Sequence, residues 1–255
     1  MAGCQLLKVC RRTRYAQPIV GGVAGQVDIM MKRIPIAAGL AAALAFCYFA
    51  ITAVNQQALT DTFNRIYAEG IWGRDVAGRG TSGTGSTLEI TREYRAYVED
   101  FIKMHRVKSV VDAGSGDWSF SSAMDWGDAS YLGVDIASDV VASVRNTHEK
   151  GKITFQVGDL TDDLPAADLL LSKDVLQHLS NELVRKFIRN NLRKGKYKWV
   201  ILTNDRASEN GDIASGGYRA IDLAAAPFEV KGLVDLPITF GGETTKITSL
   251  LDLTQ

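Results

Sequence analysis

From residue 107 onward the chain repeats one unit: a short apolar run, a glycine-containing or polar turn, then a helical stretch. The runs are Val107–Asp112, Tyr131–Asp135, Ile153–Val157, Asp168–Ser172 and Trp199–Thr203, and the longest helical stretch between them is Asp174–Leu192. Buried strands alternating with helices at this spacing leave few alternatives to a parallel, doubly wound α/β sheet. Phe228–Val234 and Ile247–Leu253 read as two final strands, an antiparallel hairpin closing the sheet.

In an open parallel sheet, ligands bind beyond the carboxyl ends of the strands. The first run ends in Asp112-Ala-Gly114-Ser115-Gly116, where glycines allow a sharp turn and close approach of a ligand to the backbone. A dinucleotide fingerprint requires a third glycine, but Trp118 and Ser119 stand there, and Asp112 places negative charge where a phosphate would come. This favours a ligand with a cationic head over NAD. Asp135 ends the second run and can accept from both hydroxyls of a ribose; Asp159 follows the third, placed to accept from an adenine amino group. Each aspartate alone could be a turn former, but three closing successive strands make a constellation.

With these motifs the chain resembles the class I, Rossmann-like S-adenosylmethionine-dependent methyltransferases over about residues 82–255. Asp112, Gly114 and Gly116 match that superfamily's first motif, Asp135 and Asp159 its next two acids, and Ser172–Ser180 (SKDVLQHLS) its fourth-strand segment. The resemblance implies a seven-stranded sheet and a donor pocket that includes Ser115, Ile136 and Leu160. Trp118 replaces the family's usual third glycine, so its ring is expected to line that pocket. The D-x-G-x-G-D-W and K-D-V-L-Q-H-L runs are similar to a group of small microbial methyltransferases associated with glycan modification. That likeness implies a saccharide or other small-molecule acceptor.

A hydroxyl acceptor needs a general base or a metal. The candidates are Lys173, Asp174, His178, Asn204 and Asp205, at the ends of the fourth and fifth strands. Catalytic roles are expected for Asp174, His178 and Asp205, beside plainer readings. His178 can serve within the fold, and Asp174 can be the N-cap of the following helix with Gln177 completing a capping box. Asp174, Asn204 and Asp205 could hold a divalent cation, whereas no His/Cys spacing suggests zinc and no residue is assigned to a metal outright. The segment Asn210–Phe228 either shapes the acceptor pocket through Tyr218, Arg219 and Asp222 or is a surface loop.

Upstream, Ile34–Val54 carries no charge and at about 1.5 Å per residue reaches roughly 30 Å, a bilayer's hydrocarbon thickness. Lys32 and Arg33 precede it, so a single-pass helix with a cytosolic N-terminus is expected, in the secretory pathway with a Golgi-like placement favoured. The first 27 residues contain arginines and no Asp or Glu, which keeps a mitochondrial membrane open. The expected organisation is a basic tail (1–33), a transmembrane helix (34–54), a stalk with a Gly/Ser-rich loop (55–86) and a methyltransferase domain (87–255). On this division, removal of Met1–Gly73 leaves an active enzyme. The helix Leu88–His105 then places Tyr94 over the donor's adenosine and Arg95 on its carboxylate, with Gly78–Ser86 acting as a lid or merely as a linker.

Composition adds exclusions. Lys and Arg total 29 against 29 Asp and Glu, so no global basicity points to nucleic acid. Cys4, Cys10 and Cys47 all precede residue 50, which excludes disulfides and thiolate metal sites from the catalytic region.

Overall fold

The apolar runs form the central strands of one seven-stranded sheet: β1 (Ser109–Ala113), β2 (Ser130–Asp135), β3 (Ile153–Val157), β4 (Leu169–Lys173), β5 (Trp199–Asp205), β6 (Leu233–Leu236) and β7 (Lys246–Asp252). Their order is β3-β2-β1-β4-β5-β7-β6. The pairs among β1–β5 are parallel, while β7 runs antiparallel between β5 and β6. The expected closing hairpin is present, although Phe228 lies in the turn before β6. The computed structural model describes residues 36–242 and 245–254, with side chains continuously from residue 53.

Alternation along the strands divides the core in two. Val111, Leu170, Val200 and Leu202 face one side, with Phe63, Ile66 and Tyr67 of α1 (Ile36–Glu69) and Val184 and Phe187 of α4 (Asn181–Asn191). Val110, Leu169, Leu171 and Ile201 face the other, with Tyr94, Val98 and Phe101 of α2 (Arg92–His105) and Val141 and Val144 of α3 (Ser138–His148). The architecture is therefore doubly wound, as the sequence pattern requires. Two crossovers depart from it, and the one between β3 and β4 carries no helix at all. Between β1 and β2 the only helical piece is a single 3₁₀ turn, Ser121–Ala123, in a stretch of serines and aromatics with weak helix propensity.

Residues Cys47–Gln255 form one compact unit. The stalk reading of the residues after Val54 does not describe them. Helix α1 continues unbroken to Glu69, and Phe63, Ile66 and Tyr67 are each less than one-tenth exposed. The expected membrane span begins outside the described residues, and most of its side chains lie outside them too. Among the described residues no helix is long and apolar enough to cross a membrane.

Candidate active site

The sheet's strand order reverses between β1 and β4, and the cleft opens there. It is a cavity of about 580 Å³ whose floor comes from Gly114–Asp117 after β1 and from Lys173 to His178 after β4. Gly114 has φ +86°, and a Cβ on it would fall 2.4 Å from the Val175 side chain, so only glycine fits. Asp112 is buried against the Tyr131 hydroxyl, which donates to it at 2.6 Å, and burial pushes its carboxyl up to about 6. Asp135 accepts from the Gly116 and Ala137 N–H groups, each at 2.9 Å. Burial raises its carboxyl above the usual value, although these N–H groups oppose the shift. Two buried carboxylates around one glycine turn suit a cationic ligand that carries a diol and repel a phosphate. Replacement of Asp135 by Ala should therefore weaken donor binding at least tenfold, since charge-assisted bonds contribute roughly 1.5–3 kcal/mol each. Calorimetry decides it, and unchanged affinity would remove the ribose assignment.

Beside the cleft, and sharing Phe63 and Val175 with it, is a narrow slot of about 30 Å³. Here the structure brings together Asp135, Ile136, Asp159 and Leu160, as the sequence reading groups them, and adds Leu59 and Phe63 of α1. Asp159 is largely committed elsewhere. Its Oδ1 accepts from the Thr161 N–H (2.8 Å) and hydroxyl (2.7 Å), and its Oδ2 faces Lys186 at 3.4 Å. Its visible work is to shape the slot.

The Gly/Ser-rich run is built into this site. Ser82 N–H donates to Asp117 (2.9 Å), Asp117 N–H donates to the Ser82 hydroxyl (3.0 Å), and the Tyr67 and Ser82 hydroxyls are 2.9 Å apart. Gly83, Thr84, Gly85 and Ser86 line the cleft. The helix behind the run does not act as the sequence reading expected. Tyr94 is 1% exposed, packed beneath Phe120 and Phe240, and Arg95 donates to the Leu88 carbonyl at 3.0 Å; neither lines the cleft. Trp118 also turns away, into the core against Tyr131 and Phe155, although its φ of +56° preserves the left-handed backbone that a glycine would adopt. A large apolar ring is better buried there than left in a polar cleft.

Four alternating charges line the cleft beyond the ends of β4 and β5. Lys173 is buried, pairs with Asp174 and donates to the Gly85 carbonyl at 2.8 Å. Lys246 lies 2.6 Å from Asp174 and 3.0 Å from Asp205. Burial lowers the Lys173 ammonium; it would lower Lys246 too, but the two carboxylates outweigh it and raise that group. Burial would raise the Asp174 carboxyl, yet the two lysines hold it below its usual value. The Lys246 ammonium thus stands where a divalent cation between Asp174 and Asp205 would sit, and Asn204 lines a different cavity. Among the described residues no cluster of metal-binding side chains occurs. Full activity in excess chelator is the expected result; a loss restored by Mg²⁺ would return these carboxylates to a metal.

Asp174 is not a helix cap. Its φ of +58° is left-handed, its N–H donates to the Thr203 carbonyl at 2.8 Å, and the cap of α4 is Ser180, whose side chain accepts from Leu183 N–H. A non-glycine residue there costs on the order of 1–3 kcal/mol, and such strain concentrates at functional sites. Gln177 and Tyr218 hydrogen-bond Asp205 at 3.3 and 2.9 Å.

His178 lines the cleft, its ring centroid 4.8 Å from Trp72 and 5.9 Å from Tyr218. Nδ1 lies 2.8 Å from the Gly217 carbonyl. A carbonyl only accepts, so Nδ1 carries the proton and the neutral ring keeps its lone pair on Nε2. Burial lowers this imidazole's pKa, which favours that neutral form. Of the other residues in the 210–228 segment, Arg219 is spent on the Leu179 carbonyl and Asn181, and Asp222 faces the second cavity. Phe63, Tyr67, Trp72 and Lys246 also line the site and were missed by sequence reasoning, because each reaches it only through tertiary packing.

The strand order, the switch-point cleft and the glycine turn with its two buried carboxylates define a Rossmann-like doubly wound fold with a ligand-sized cleft at its switch point. Residues 110–195, about a third of the chain, match the family model described as a methyltransferase domain. Over that stretch the chain carries a methyltransferase domain. No curated protein matches it. Among solved structures it is similar to the N-methyltransferase NodS from Bradyrhizobium japonicum WM9 in complex with S-adenosyl-l-homocysteine, with 12% identity and a TM-score of 0.49 over 65% of this chain and 88% of that one. It is also similar to human N-acetylserotonin methyltransferase in complex with S-adenosylmethionine, with 16% identity and a TM-score of 0.48 over 66% of this chain and 54% of that one. An O-methyltransferase family protein from Burkholderia thailandensis gives 13% identity and a TM-score of 0.48 over 66% and 58% of the two chains.

Proposed function

We propose that the chain methylates an oxygen of a saccharide or glycan. The observation that carries this reading is His178, held by the Gly217 carbonyl as the tautomer whose Nε2 accepts a proton. It lines the same cleft as the glycine turn, between Trp72 and Tyr218. Aromatic faces pack on the C–H face of a sugar ring, and an alcohol needs the base that Nε2 supplies. When bound, the donor supplies an electrophilic methyl group on a sulfonium. Asp112 and Gly114–Gly116 would hold its amino-acid end and Asp135 its ribose. The apolar side chains of Ile136, Leu160, Leu59 and Phe63, which wall the narrow slot beside the cleft, would border its adenine. His178 Nε2 would take the acceptor hydroxyl's proton as the methyl passes to that oxygen and its bond to the sulfonium sulfur breaks, leaving a neutral thioether. Gln177, Tyr218 and Lys246 fix Asp205 beside it.

Isotope-labelled methyl donor offered with glycan and lipid extracts tests the proposal. Label in the glycan fraction, released by mild glycosidase treatment, is expected. Label confined to lipid would move the acceptor to a lipid-like or quinone class. No turnover with either would favour a non-catalytic donor-binding module.

The uncharged residues 34–54 behind Lys32 and Arg33 support a single-pass anchor with a cytosolic N-terminus, placing the enzyme on the lumenal side of a Golgi-like or other secretory membrane. A tag at the N-terminus should then be digested in sealed vesicles only when it faces the medium on the cytosolic side, with a C-terminal tag protected. The opposite pattern would reverse the topology.

A further inference from the structure

A second cavity, of about 500 Å³, lies over β5, β7 and β6. Leu202 and Asn204 of β5, Ile247 and Ser249 of β7 and Asp235 of β6 line it, paired in register across the three strands. Neighbouring residues on a strand face opposite sides, so Asn204 turns to this cavity while Asp205 turns to the catalytic cleft. The irregular segment Ile221–Ala224 supplies further wall.

The polar groups in this cavity are incompletely used. Asn204 is 4% exposed, and its Oδ1 has no hydrogen-bond partner. Buried amide groups are nearly always paired, and leaving one unpaired is unfavourable. Asp222 uses Oδ1 on the Ala224 N–H at 2.8 Å. Arg206 gives one nitrogen to Asp235 at 2.7 Å, and the Ser249 hydroxyl donates to the same carboxylate at 3.0 Å. An amide oxygen and a carboxylate oxygen therefore remain as acceptors, and guanidinium N–H groups remain as donors.

We propose that this cavity binds a neutral, hydroxyl-rich small molecule of mono- or disaccharide size, at a site separate from the methyl-transfer cleft. Hydroxyls both donate and accept, so one diol can satisfy Asn204 and Asp222 while accepting from Arg206. An ammonium ligand can only donate and would leave the free Arg206 N–H groups without an acceptor. A carboxylate or phosphate would meet Asp222 and Asp235. Leu223, Leu233 and Ile247 give an apolar wall for the C–H face of a ring. The volume lies within the roughly 300–1,000 Å³ of small-molecule sites. The site stands apart from the acceptor reading, so failure of methyl transfer to glycans leaves it intact.

Saturation-transfer NMR on the full chain, with maltose, cellobiose, glucosamine and gluconate as probes, tests it. Calorimetric binding of S-adenosylhomocysteine to each variant serves as the check of folding. Signals from a neutral disaccharide are expected to persist in Trp72→Ala, which removes the cleft's own sugar contact, and to weaken at least tenfold when Asp222→Ala or Asn204→Leu is added to it. Should Asn204→Leu fail the folding check, Asp222→Ala and the cavity-filling Leu223→Trp carry the comparison. Absence of signal from both neutral sugars overturns the proposal, as does stronger binding of glucosamine or gluconate. Loss of binding in Trp72→Ala with retention in Asp222→Ala would place the sugar in the catalytic cleft and equally overturn it.

Discussion

Deletion of Met1–Gly73 is expected to leave a chain that neither folds cooperatively nor binds the methyl donor. The division drawn from sequence alone leads to the opposite outcome, an active soluble enzyme. The structure reverses it because α1 is part of the core. Phe63, Ile66 and Tyr67 are 7%, 3% and 8% exposed, packed with Val111, Leu170 and Leu202 of the sheet. Removing a buried Phe side chain costs roughly 3–5 kcal/mol and a buried Ile roughly 2–5 kcal/mol. Together these approach the entire 5–15 kcal/mol that holds a domain folded. The deletion also removes Leu59 and Phe63 from the slot and Tyr67 from the Ser82–Asp117 clasp. A deletion ending at Phe46 spares the compact unit Cys47–Gln255 and should retain a cooperative thermal transition and donor binding. Thermal unfolding followed by circular dichroism, with calorimetry of the donor, separates the two. A cooperative, donor-binding protein beginning at residue 74 would show that α1 is dispensable.

Replacement of His178 by Ala is expected to lower kcat by roughly 10²–10⁴, the usual contribution of a general base, with donor affinity unchanged. The pH profile carries the sharper information. Only the neutral ring can take a proton, so activity should rise with pH through the histidine's own titration and then level off. Burial lowers that titration below the ordinary value near 6.5, because it disfavours the imidazolium. The acid limb of kcat/KM should accordingly lie on the acidic side of 6.5 in the native enzyme and vanish in His178→Ala. An acid limb that persists unchanged in the variant belongs to another group. Asp112, pushed up to about 6 by burial, would then be the first candidate, and Asp112→Asn the next measurement.

The strands, their alternation with helices and the closing hairpin were legible from residue 107 onward, because period and turn chemistry are local properties of a chain. So was the grouping of the glycine turn with the aspartates at the strand ends. Asp112, Gly114, Gly116 and Asp135 mark strand ends, and in a parallel sheet strand ends meet at one edge whatever the details of packing. Trp118 shows where that reasoning stops. Its position in the turn was readable, but the direction of its ring was set by the space between Tyr131 and Phe155.

What only the tertiary structure decided is every contact between residues far apart in the chain. Lys246 reaches Asp174 across 72 positions because β7 pairs antiparallel with β5, placing Lys246 opposite Asp205. That pairing turned an expected cation site into an ion-pair network. Gly217 holds His178 across 39 positions and thereby fixes which imidazole nitrogen is basic. Ser82 and Asp117 clasp each other across 35 positions, which makes a run that reads as a linker a wall of the cleft. Local sequence sets backbone propensity and strand ends. Hydrogen bonds and ion pairs between distant residues exist only once the sheet order has brought them together, and here they shape the cleft beyond the ends of β4 and β5.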